Sequence, residues 1–244
     1  MNNRATVLFI PHGGGPLPLL GEPGHAGMNR FLQDWPATIA KPDGIIVISA
    51  HWEEPVVSIT AAAPGNPALA TRAQDLLRQA GIEANLDARR GFDHGLFVPL
   101  MLMYPEADIP CIQISLAASL DAGAHVRIGQ ALAGLKSDNL LILGSGFSFH
   151  NMQALMSKRD DSIDPRNQEF ETWLMQTCSD SGLPEAEREK RLIEWEQAPH
   201  ARYCHPREEH LLPLQVCYGI AQGPASNVFQ EPVARFIASA YQWS

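Results

Sequence analysis

Four short apolar runs, Ala5 to Ile10, Gly44 to Ala50, Ile109 to Leu116 and Leu140 to Gly144, dominate the first 150 residues of this chain. Continuous Ile, Val and Leu without polar alternation marks strands covered on both faces, as in a parallel sheet between layers of helices. Helical patterns lie between the runs. Asn66-Pro67 opens one, with Leu69, Ala73, Leu76 and Leu77 as its buried stripe and Gly81 as its end, and Asp121 opens another. Asp164-Pro165 and Pro184 start two more, and Pro206 is expected to begin a third that carries Leu211, Leu212 and Leu214. The expected architecture is α/β, one domain over residues 1–244, with a central, largely parallel mixed sheet flanked by helices.

Composition narrows the function classes. At 244 residues a globular chain buries about 70% of its unfolded surface. With 45% hydrophobic and 18% charged residues, disorder is excluded. Eighteen Lys and Arg against 27 Asp and Glu leave a net charge of −9, which repels nucleic acid. The sequence has no apolar stretch of membrane-spanning length, and the apolar core of MNNRATVLFIPHGGG is too short for a signal peptide. A cytoplasmic protein without a membrane partner is expected, monomeric or homodimeric. Cys111, Cys178, Cys204 and Cys217 form no C-x-x-C pair and read as reduced, mostly buried thiols.

Three of the nine histidines share a position: ATVLFIP leads to His12, GIIVISA to His51 and LLILGSGFSF to His150. Residues just past the carboxyl ends of parallel strands face the ligand crevice, so these imidazoles can converge. Imidazole suits zinc and non-haem iron, and a catalytic metal needs three protein ligands with positions left open. HPREEHLLPL offers His205, Glu208, Glu209 and His210 as further ligands, and GFDHG offers Asp93 and His94. A lone histidine after a strand is ordinarily a buried structural residue; three in one position favour a site. PHGGGP lacks the P-loop Lys and the G-x-G-x-x-G spacing, and Ser49 and Ser145 lack a G-x-S-x-G elbow. His25, His125 and His200 read as solvated or structural.

Taken in order, PHGGGPLPLLG, ISAHWEE, GFDHGLFVPLMLMYPEADIPCIQISL, LGSGFSFHNM and HPREEHLLPL resemble the class III extradiol ring-cleavage dioxygenases, in the branch similar to 4,5-DOPA dioxygenase. The resemblance implies a mononuclear site, normally Fe(II), with Zn(II) in some members, and O2 as co-substrate. It implies His12, His51 and His210 as metal ligands. His150 is implied as acid/base or as a further ligand when zinc is bound, and His94 as a second histidine lining the pocket. The branch usually reads HGSP where this chain has His12-Gly13-Gly14-Gly15-Pro16, and only SITAA precedes Ala63-Pro64-Gly65 where the branch carries a longer segment. By the resemblance, the first departure removes a serine hydroxyl near the metal, and the second shortens a segment that helps wall the substrate pocket.

The expected activity is cleavage of a catechol-type aromatic, DOPA-like or related, beside its hydroxyl-bearing carbons to a muconic semialdehyde-type product. Asp93 or Glu53 is expected to orient a ligand imidazole. A zinc hydrolase and a non-enzymatic binding protein are the alternatives on the same fold.

Overall fold

A computed structural model describes residues 4–61, 65–157 and 163–243, so Ala63 and Pro64 of the shortened segment lie outside the described residues. Apart from short 3-10 turns, the elements in chain order are β1 (Thr6–Pro11), α1 (Ala26–Asp34), β2 (Gly44–Glu54), β3 (Val57–Thr60), α2 (Pro67–Gln79), β4 (Ala84–Asp87), α3 (His94–Met103), β5 (Cys111–Ala117), α4 (Ala122–Leu132), β6 (Leu140–Gly146), α5 (Met152–Leu155), α6 (Pro165–Ser179), α7 (Glu185–Ile193), α8 (Ala201–Cys204), α9 (Leu212–Ala221), β7 (Ser226–Val233) and β8 (Phe236–Trp243).

The four apolar runs become β1, β2, β5 and β6, side by side and parallel at the centre of one eight-stranded sheet of order β4-β3-β5-β2-β6-β1-β8-β7. Leu141, Ile142 and Leu143 of β6 and Leu8 to Ile10 of β1 are fully buried, as a strand under two helical layers requires. Helix starts follow the polar residues read as caps. Asn66 accepts from the Leu69 amide (3.0 Å), Asp121 from Ala124 (2.6 Å) and Asp164 from Arg166 (3.0 Å), each cap contributing about 1 kcal/mol. None of the described helices is long and apolar enough to cross a membrane.

Two features differ from expectation. The helix expected from Pro206 starts instead at Leu212, with Pro213 in its first turn, and residues 206–211 form turns. That placement lets the His210 carbonyl accept from the Phe147 amide (2.9 Å), a contact to the end of β6 that a helix from Pro206 would forgo. The chain also ends in an antiparallel hairpin, β7–β8, which adds to the free side of β1.

Helix α9 lies against β1 and β6 on one face and against α4 on the other. The α4–α9 contact is made backbone to backbone at Gly129 and Gly219. A Cβ on Gly129 would fall on the Val216 carbonyl, and one on Gly219 on the Val126 carbonyl. Helix α9 begins two residues after His210, so this contact also sets the depth of that histidine. Gly129→Ala is expected to destabilise the protein by about 2 kcal/mol or more, since overpacking against backbone cannot relax by side-chain rotation. Urea unfolding measures it as a lower midpoint at unchanged slope.

Candidate metal centre

The carboxyl ends of three adjacent strands, β2, β6 and β1, converge on one cleft. His12 directly follows β1 and extends its pairing by donating its amide to the Gly146 carbonyl (3.1 Å). His51 lies within β2 where its register against β5 shifts, between Ile48 and Glu53. Such irregularities re-aim side chains, and the His51 ring turns toward His12. His210 comes from the turn before α9. A Cβ on Gly146 would strike the His210 carbonyl, so β6 must end in glycine there for the two segments to meet.

The ring centroids of His12, His51 and His210 are 4.7, 4.8 and 5.2 Å apart. His94, the first residue of α3, packs on His51 at 3.8 Å, and His150 stacks on His210 at 3.3 Å. All five histidines read from the sequence as site residues thus line one cleft. His205 does not join them. It is buried elsewhere, with Nε2 donating to the Ser148 carbonyl (2.7 Å).

Hydrogen bonds fix the tautomers. The Ser145 hydroxyl donates to the Gly95 carbonyl, so in its contact with His12 Nδ1 (3.1 Å) it accepts. His12 therefore carries its proton on Nδ1 and turns the Nε2 lone pair toward His51 Nε2, 2.9 Å away. Glu209 Oε1 accepts from both His210 Nδ1 (2.8 Å) and His150 Nδ1 (3.1 Å), which frees the Nε2 lone pair of each ring. Two nitrogens of a tetrahedral metal site lie about 3.3 Å apart, close to the His12–His51 spacing. The donor set fits a divalent cation. The atoms of His12, His51 and His94, and separately those of His150, Glu209 and His210, cluster as metal-ligating groups do.

Electrostatics keep His12, His51 and His210 neutral. Burial lowers His51 to about 4, helped by His94, and lowers His210 to about 3 against the pull of Glu209. His12 is driven well below its usual value by burial and by the neighbouring imidazoles. Burial works to raise Glu209, but its bonds to His150 and His210 outweigh this and hold the carboxyl well below the usual range.

The pairings around the rings differ from expectation at Asp93, Glu53 and Glu209. Asp93 caps α3 through Gly95 N (3.0 Å) and accepts from Ser49 Oγ (2.8 Å), and Glu53 pairs with Arg207 through two 2.6 Å contacts. Neither orients a ligand ring; Glu209, read as a possible ligand, does. His25, read as solvated or structural, is 1% exposed and lines the cleft. Its Nε2 accepts from the Gly14 amide (3.1 Å) and its Nδ1 donates to Glu22 (2.5 Å), which pins the glycine loop after His12. The spacing of Glu22 and His25 held a signal for that pair; the partner at Gly14 is set by the loop's path.

Comparisons with known proteins follow the geometry. The profile of the catalytic LigB subunit of aromatic ring-opening dioxygenase matches residues 53–236. The 4,5-DOPA dioxygenase extradiol of Beta vulgaris is 36% identical over 245 residues, covering 90% of this chain and 88% of its own length. The protein of the same description from Escherichia coli (strain K12) is 30% identical over 258 residues, covering 95% and 89%. Dioxygenase tasH of Hapsidospora irregularis is 37% identical over 256 residues, covering 89% and 78%. Among solved structures, an uncharacterized protein from Escherichia coli K12 superposes with a TM-score of 0.84 at 30% identity, over 99% of this chain and 100% of that one.

The lowered histidines make a pH prediction for the metal-free protein. Their folded-state values lie below the unfolded 6.5, so the unfolded chain binds more protons and stability falls as the pH falls. The histidine contribution is intact above pH 6.5 and is lost as pH drops toward about 4, the value for His51 and His205. Buried Glu171, pushed up to about 7, works in the opposite direction as a single group. The urea midpoint of chelator-treated protein should fall steadily between pH 6.5 and 4.5; a flat or rising profile would contradict this balance.

Proposed function

Because the chain belongs to the family of catalytic LigB subunits of aromatic ring-opening dioxygenases, we propose that it is a non-haem, metal-dependent extradiol enzyme. Its substrate is a catechol-type aromatic, opened with O2 beside rather than between the hydroxyl-bearing carbons, to a muconic semialdehyde-type product. One observation carries the reading: three neutral imidazoles, from His12, His51 and His210, meet within 5.2 Å at the ends of adjacent strands, flanked by two more. These three residues hold the metal, Fe(II) foremost and Zn(II) as the alternative. A divalent ion held by uncharged ligands keeps a local charge of about +2 and supplies the Lewis acidity that lowers the pKa of a catechol hydroxyl.

The remaining work falls to the chain's own groups. His150, with Nδ1 held by Glu209, offers Nε2 to take the second hydroxyl proton and to return it as the ring opens. His94, half-buried beside His51, donates to charge developing on oxygen. Glu209 fixes His210 and His150 with one oxygen, so ligand and proton carrier keep a constant spacing.

Anaerobic loading with Fe(II), then air and a panel of catechols, should give stoichiometric O2 uptake and a yellow ring-opened product. Absence of uptake with every catechol rejects the proposal. Side-chain roles separate by metal content. His210→Ala should abolish stable metal binding, and Glu209→Gln should weaken it by about 10-fold or more. His150→Ala should lower kcat by about 100-fold or more with a smaller loss of metal. Equal metal loss in His150→Ala and His210→Ala would make His150 a ligand first.

A further inference from the structure

The cleft over the five histidines has a volume of about 430 Å³ and is lined by imidazole, by the Gly13–Gly15 loop with His25, and by apolar side chains. The floor is imidazole. Away from it the lining turns apolar, through Leu17, Phe147, Met152, Leu155, Met156 and Ala234. Leu17, Met152 and Met156 are 43, 51 and 79% exposed, so large apolar side chains face water around the mouth of a catalytic cleft. Clustered exposure of this kind marks a surface that another apolar group covers, and methionine adapts to varied shapes.

The rim is held in place at some conformational cost. Ala234 and Arg235 form the two-residue turn between β7 and β8, both at positive φ (48° and 77°), where Asn or Gly is preferred. The turn is clamped from both sides. The Ala234 amide donates to the Gly24 carbonyl (3.0 Å), next to His25, while Arg235 donates to the carbonyls of Leu155 (3.1 Å) and Ser157 (2.9 Å). The hairpin thus ties the glycine-loop wall to the methionine wall.

Charge around the cleft points the same way. The Glu209 carboxylate stands directly behind His150 and His210, Asp93 acts on His51 through its charge, and Glu22 binds His25 on the cleft wall. The cations near it have partners: Arg90 reaches Asp93 and the His51 carbonyl, Arg207 pairs with Glu53, and Arg235 binds the carbonyls of the rim. Among the described residues, the cleft lining includes no Lys or Arg. A carboxylate seated among Leu17, Met152, Leu155 and Met156 would lie against apolar side chains, with no Lys or Arg of the described lining to pair with it.

We infer that the ring substituent of the substrate is apolar, an alkyl or aryl group seated against Leu17, Met152, Leu155 and Met156, and that the cleft discriminates against catechols bearing a carboxylate. This rests on the dioxygenase reading above and specifies its substrate class.

The test uses Fe(II)-loaded enzyme with catechol, 4-methyl-, 4-propyl- and 4-butylcatechol, 3,4-dihydroxyphenylpropionate and DOPA. O2 uptake gives kcat/KM, and tryptophan fluorescence under anaerobic conditions gives dissociation constants. Specificity should rise about twofold per carbon on a half-exposed rim, so 4-butylcatechol exceeds catechol roughly 15-fold. The propionate should fall about tenfold or more below 4-propylcatechol, and the dissociation constants should follow the same order. Met156→Lys, at an exposed position, should narrow that gap; an unchanged gap counts against Met156 as part of the seat. If the propionate or DOPA matches the propyl compound in both measurements, the inference fails while the dioxygenase reading stands. If uptake fails with every catechol but the binding order holds, the dioxygenase reading falls and the apolar seat stands.

Discussion

One carboxylate oxygen, Glu209 Oε1, accepts from His210 Nδ1 and His150 Nδ1 together. That shared acceptor decides which nitrogen of each ring faces the cleft. It also stacks the two imidazoles with their centroids 3.3 Å apart. Removing it would leave two buried donors without partners and two rings free to turn. The turn that carries Glu209 and His210 is in turn held to β6, because Gly146 permits the backbone approach and Phe147 N donates to the His210 carbonyl. Ring placement in this cleft therefore depends on backbone packing at the carboxyl end of β6 as much as on the imidazoles themselves.

The second constraint is electrostatic. Imidazoles this close cannot all carry charge, and burial removes the water that would screen them. Their neutrality leaves lone pairs directed at a common space, the condition a divalent cation needs. Glu209 stays ionised among them because its partners are hydrogen-bond donors.

Much of this was legible in the chain. Runs of β-branched and aliphatic residues predicted interior parallel strands, and the histidines just past them predicted a shared crevice, because strand ends face one side of an open sheet. The capping pairs at Asn66, Asp121 and Asp164 predicted helix starts for a local reason, since a cap's partner lies two or three residues away. The hairpin β7–β8 was not legible: its turn residues are Ala234 and Arg235, which carry none of the usual glycine or asparagine signal. The start of α9 was misread at Pro206 because two prolines, Pro206 and Pro213, offer the same local signal. Only the contact of residues 209–210 with β6 selects between them.

The sequence by itself determined the periodicity that makes an α/β sheet, the local caps, and which side chains could ligate a metal, because each of these depends on residues near one another in the chain. Tertiary structure alone decided that Glu209 rather than Asp93 or Glu53 orients the rings, that His25 secures the glycine loop, and that Leu17, Met152 and Met156 share one rim. Apart from the adjacent Glu209 and His210, these are pairings across 11 to more than a hundred residues, fixed by strand order and by backbone approach at a few glycines. No local pattern encodes a partner at that distance; it becomes defined only when the sheet has brought the ends of β1, β2 and β6 together.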